Sequence, residues 1–139
     1  MLIATDDFWD IRQGPATDGA LSVAEQKLGV ELPPAYKVLL HQSDGGYSKY
    51  TRFRGRLVGH WLGVSREPQE NLVEMYERQL RWDSGVPPRV IVIASTWDSW
   101  IALDYRDGAV SPSVLAWSEY RDSPEMIAES FATFLEGLE

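Results

Sequence analysis

The sequence contains no cysteine and only two histidines. The first absence excludes disulfide scaffolds, cysteine zinc sites, iron–sulfur clusters and thiol nucleophiles together. Long apolar runs are missing as well. The longest, Val90 to Ala94, is strand-sized, far short of the ~20 residues that span a bilayer. The opening Met1-Leu2-Ile3-Ala4, followed by Asp6 and Asp7, lacks the basic region and apolar stretch of a signal peptide. A cytoplasmic protein without membrane contact is the expectation. Bases are scarce too: 13 Lys and Arg face 21 Asp and Glu, for a net charge of −8. Such a chain is repelled by nucleic acid and anionic lipid, and attracted to basic partners.

What remains is ordinary for a globular protein. The 139 residues are 44% hydrophobic and 24% charged, enough to bury a core without a metal or disulfide. No repeat, low-complexity tract or linker divides the chain, so one domain over residues 1–139 is expected. Charge is uneven along it. Residues 1–48 carry seven acids and three bases, residues 49–97 five acids and eight bases, and residues 98–139 nine acids and two bases.

Four helices are legible. Ser22-Val23-Ala24-Glu25 has the capping-box pattern, and the helix it opens offers Ala24 and Leu28 to a core before stopping at Gly29. A second starts at Pro33-Pro34, where a missing donor costs nothing, presents Tyr36, Leu39 and Leu40, and ends at Asp44-Gly45-Gly46. A third runs from Pro68 to Trp82 with Leu72, Met75, Tyr76 and Leu80 on one face. The last is predicted from Ser123-Pro124-Glu125, with Met126, Ile127, Phe131, Phe134, Leu135 and Leu138 as its stripe.

Strand signals lie between the helices. Arg52 to Leu62 is broken by Gly55 and Gly59, which predicts two short strands or one bent one. Val90 to Ala94, continuously apolar and β-branched, reads as a central covered strand. Trp100 to Tyr105 alternates, Asp107-Gly108 marks a hairpin, and Val114 to Trp117 is predicted as the last strand. The sum is an α+β fold: a mostly antiparallel meander packed with N-terminal, middle and C-terminal helices.

Catalytic and ligand motifs are not found. Neither His41 nor His60 has a second histidine at metal-ligand spacing, and no nucleophile elbow or phosphate-binding glycine loop occurs. Structural or solvated roles are the simpler reading of both histidines. No metal and no cofactor is expected. Lys49 to Arg56, read as a strand, sets Arg52, Arg54 and Arg56 on one face with aromatics between them, as a phosphate-binding surface does. Against a balance of −12 outside the segment, a charged strand that resists edge pairing is the preferred reading. Of the six tryptophans, Trp9, Trp61 and Trp117 lie among apolar neighbours and are expected in the core. Trp97 and Trp100 flank Asp98-Ser99 in a tight connection, where they either cap the core or anchor a protein partner.

The run Ala24-Glu25, Leu28-Gly29, Leu32-Pro33, Tyr36 and Leu39-Leu40, closed by Asp44-Gly45-Gly46, resembles the opening signature of the SUKH superfamily. Ile127-Ala128, Ser130-Phe131 and Phe134-Leu135 resemble its closing helix. Asp44 departs from the asparagine often found before the glycine pair. The superfamily includes fungal cell-wall-assembly and cell-proliferation regulators and many bacterial homologues. The resemblance implies a non-enzymatic, protein-binding domain: either an immunity protein that neutralises a toxin, often a nuclease, or a regulatory interaction module. It implies no shared catalytic residues. The binding surface expected from the residues themselves is Trp97, Asp98, Trp100, Asp104 and Asp107, aromatic anchors among carboxylates that suit a basic toxin domain. The protein itself is expected to be a monomer or weak dimer.

Overall fold

The computed structural model describes residues 8–65, 71–81, 86–108, 111–119 and 124–139. Nine strands and four helices occur among them, in the order β1 (Trp9–Arg12), α1 (Asp18–Leu28), α2 (Pro34–Gln42), β2 (Gly46–Ser48), β3 (Arg52–Phe53), β4 (Arg56–Leu57), β5 (His60–Trp61), α3 (Leu72–Arg81), β6 (Val90–Ser95), β7 (Ser99–Asp104), β8 (Ser113–Ser118), β9 (Glu125–Ala128) and α4 (Phe131–Glu136). Seven strands form one antiparallel sheet in the order β1-β2-β5-β6-β7-β8-β9, and β3 and β4 make a separate hairpin. This is the α+β meander expected. The β-branched run Val90–Ala94 is indeed the middle strand, buried along its length.

The first helix opens earlier than its sequence suggests. Thr17, not Ser22, is the N-cap, accepting from the Ala20 amide at 3.1 Å. Glu25 does not turn back to Ser22. Its Oε2 accepts from the Leu32 amide at 2.7 Å and lies 3.3 Å from Lys37 Nζ, so one carboxylate ties α1 to α2 across their short connection. Gly29, at φ 74°, ends α1 as expected. The third helix begins at Asn71, whose Oδ1 accepts from the Val73 and Glu74 amides. Leu72, Val73 and Tyr76 are its buried residues, whereas Leu80 faces solvent. Pro68 and Trp82, its expected limits, lie outside the described residues.

The C-terminal region differs most from expectation. Glu125 to Ala128 is a strand pairing with β8, and the last helix begins only after Ser130, which caps it through the Thr133 amide. The Ser-Pro-Glu pattern and the three-four spacing imitate a helix start, but Met126 is exposed. The hydrogen bonds of β9 come from β8, a partner that local periodicity does not reveal. Ser123 lies outside the described residues.

The segment around Arg54 is also re-formed. Arg54 (φ 49°) and Gly55 (φ 81°) are the two central residues of a tight turn. Arg52 and Arg56 therefore stand on opposite strands, and the three arginines do not share one strand face. Arg56 is ion-paired to Glu125. The hairpin is held to the chain end by backbone hydrogen bonds between Arg52 and Glu139.

The core centres on Trp61, fully buried and ringed by Phe8, Trp9, Tyr36, Phe131 and Phe134 at centroid distances of 5.6, 6.3, 6.0, 6.2 and 6.2 Å. Each polar tip in this group has a partner, as buried polar atoms require. Trp61 Nε1 donates to Ser48 Oγ, Trp9 Nε1 to the Leu39 carbonyl, and Tyr36 Oη to the Leu62 carbonyl. Burial pushes the Tyr36 phenol well above its ordinary pKa.

Between α2 and β2, Asp44 is buried and accepts from the Val64 amide at 2.7 Å and the Ser65 amide at 3.1 Å, with the Ser65 hydroxyl as a third donor. A carboxylate has acceptors for all three. Gly45 follows at φ 86°, and a Cβ there would lie 2.6 Å from the Trp61 carbonyl oxygen. The glycine pair is thus a helix stop that lets two backbones touch.

Candidate protein-interaction surface

The five residues expected to form one surface fall into two groups at opposite ends of β7. Trp97 and Asp98 occupy the turn between β6 and β7, and Trp100 follows on β7. Asp104 ends the same strand about 14 Å from Trp100, at ~3.4 Å per residue. Asp107 lies beyond it in an exposed turn. Asp104 is already engaged, because Arg106 Nε and Nη2 each donate to it at 2.9 Å. That side-chain pairing holds its carboxyl below the usual carboxylate range, against the opposing effect of burial.

The Trp97 turn is tightly braced. The Thr96 amide donates to the Ser99 carbonyl at 2.9 Å, and Thr96 Oγ1 donates to Asp98 Oδ1 at 2.9 Å. Glu119 donates its amide to the Asp98 carbonyl at 2.8 Å, fastening the turn to the end of β8. On this frame the Trp97 side chain is 82% exposed. A tryptophan held in this way on a braced turn is the kind of side chain that can anchor a protein partner.

Cross-strand register shows what surrounds the turn. Residues directly opposite in antiparallel strands share a face. Ile11 pairs with Tyr47, Tyr47 with His60, His60 with Ser95, Ser95 with Trp100, and Trp100 with Trp117. One row thus crosses six strands on the face turned away from Trp61. Ile11 and Tyr47 are about half exposed in it, and His60, Trp100 and Trp117 are partly so. The Tyr47 and His60 rings are 5.0 Å apart. Trp117, expected in the core, is partly buried and packs against it, and it stacks on Trp100, the rings 6.0 Å apart and 26° from parallel.

Among the described residues, the strands at the β8 end of the row carry charge of one sign. Residues 90–105 and 113–119 hold Asp98, Asp104 and Glu119, and neither lysine nor arginine. The strand alternation around Trp100 was visible in sequence, but Ile11, Tyr47, His60 and Trp117 were missed as surface residues. Their common row exists only through register, and β1 carried no recognised strand signal.

His41 joins α2 to the start of α1, its Nδ1 3.1 Å from the Ala16 carbonyl and its Nε2 3.0 Å from Asp18. Among the described residues, no three His, Asp or Glu side chains are grouped to hold a metal ion. No described helix is long and apolar enough to cross a membrane.

The profile of the SMI1 / KNR4 family (SUKH-1) matches residues 15–137. The chain belongs to that family. The match takes in both Glu25, which ties α1 to α2, and Asp44, which ties the α2–β2 connection to Val64 and Ser65, and ends at Gly137 beyond α4. Members of the SUKH family typically bind protein partners. A comparison with curated proteins finds no match.

Proposed function

We propose that this SMI1 / KNR4 family protein acts by stoichiometric binding rather than catalysis, as an immunity protein that neutralises a cognate toxin domain. The observation that carries the reading is the row from Ile11 to Trp117, with Trp97 beside it. Aromatic side chains on a rigid sheet lose little conformational freedom when covered, which makes them effective anchors. The net charge of −8 supports a basic partner, such as a nuclease domain, because opposite charge speeds encounter and an acidic body can cover a nucleic-acid cleft.

The test is affinity capture of the tagged protein from its source lysate at low and high salt, followed by co-expression. One dominant basic polypeptide that arrests growth alone, and is silenced by this protein in stoichiometric amount, supports immunity. Several partners without toxicity favour a regulatory module instead. Silencing at substoichiometric amounts would point to turnover and overturn the binding mechanism.

A further inference from the structure

We infer that the β8 end of this row is a seat for an arginine side chain projecting from a basic protein segment, with Trp97, Trp100 and Trp117 supplying ring faces and Asp98 and Glu119 the counter-charge. The inference rests on the protein-binding reading and specifies the chemistry of its partner.

Three observations converge on it. First, Trp100 and Trp117 are stacked, their ring centroids 6.0 Å apart and their planes 26° from parallel, so each keeps one indole face turned away from the other. Such a face matches a planar guanidinium, which stacks on an aromatic face and is more weakly hydrated than an ammonium. Second, Trp97 stands three residues before Trp100 on a turn held by Thr96, Ser99 and Glu119, and is 82% exposed. Its backbone is already in place, and a bound side chain gains a third ring. Third, the strands that build this end contain acids and no bases, and Glu119 is joined to Asp98 through the backbone. An aliphatic partner alone gains nothing from those carboxylates, and an acidic one is repelled. A cation satisfies rings and carboxylates together.

Three other acid-bearing places among the described residues lack this combination. Asp104 already holds Arg106, and Arg56 holds Glu125. The shallow depression bounded by Glu25, Gly29 and Glu31 has no aromatic side chain in its wall.

The test uses the intact protein labelled with nitrogen-15 and titrated with hexa-arginine, hexa-lysine and hexa-glutamate peptides. The six tryptophans give six indole N–H reporters. The expected result is movement of the Trp97, Trp100 and Trp117 signals with hexa-arginine, less with hexa-lysine and none with hexa-glutamate, while Trp9 and Trp61 stay fixed. Trp97→Ala, whose side chain packs on little, should weaken hexa-arginine binding about five-fold. Silent indoles at all three positions, equal response to hexa-glutamate, or undiminished binding by Trp97→Ala each overturn the seat. Failure of partner capture, with this peptide response intact, counts against immunity alone. A captured toxin held undiminished by Trp97→Ala and Trp100→Ala overturns the seat and leaves immunity standing.

Discussion

Trp100 and Trp117 face each other across β7 and β8 on the outer side of the sheet, their ring centroids 6.0 Å apart. The pair is partly buried and has no ring contact with Trp61, so its coupling should be measurable with the aromatic cluster around Trp61 intact. A double-mutant cycle with Trp100→Ala and Trp117→Ala should give an interaction energy of about 0.5–1.5 kcal/mol by urea unfolding. A coupling near zero would mean that the rings are neighbours without mutual stabilisation.

Asp44→Asn should lower stability by about 1–3 kcal/mol, because an amide cannot accept from the Val64 amide, the Ser65 amide and the Ser65 hydroxyl as two carboxylate oxygens do. One amide N–H₂ would face a donor. The readout is a lower urea midpoint at unchanged slope, and an unaltered midpoint would show that the Ser65 loop readjusts freely.

Gly45→Ala should cost at least about 2 kcal/mol. It combines a φ of 86° with a Cβ driven toward the Trp61 carbonyl. Gly55→Ala has an equally left-handed backbone but open space around it, and should cost less. Thermal unfolding of the two variants separates strain from collision.

The Asp104–Arg106 pairing makes a small contribution to acid stability. Because the folded carboxyl is held below its unfolded value, the contribution is present above the unfolded pKa of about 3.9 and fades as pH falls through the folded value. Partial exposure limits it to a few tenths of a kcal/mol. In Arg106→Ala the Asp104 carboxyl should titrate higher by carbon-13 NMR; an unmoved titration would assign the shift elsewhere.

Much of the architecture was legible because its signals are local. Pro33-Pro34 opens α2, Gly29 closes α1, and the β-branched run at Val90 marks the central strand, each through the conformational limits of the residue itself. The misreadings share a different cause. Glu125–Ala128 and Trp9–Arg12 are strands by virtue of partners elsewhere in the chain, and Ser22 reads as a helix start in the sequence only because Glu25 completes a capping pattern. In the structure Glu25 spends its carboxylate on Leu32 and Lys37. The same distinction governs the surface. Trp97 and Trp100 announce themselves by flanking a turn, whereas Tyr47 and His60 join them through register alone.

The strand order also dictates a sequence of assembly. β6, β7, β8 and β9 are neighbours both along the chain and in the sheet, and only residues 96–98 separate β6 from β7. β1 reaches β2 only after residues 13–45, with two helices, have been brought into place. Loop closure over that span is slower and entropically more expensive. Amides of the β6–β7 ladder should therefore exchange with deuterium only on global unfolding, and those of β1 through local opening at the sheet edge. Since β1 carries Trp9, the cluster around Trp61 should be sealed from its N-terminal side last, and a probe of Trp61 burial is expected to time the end of folding rather than its beginning.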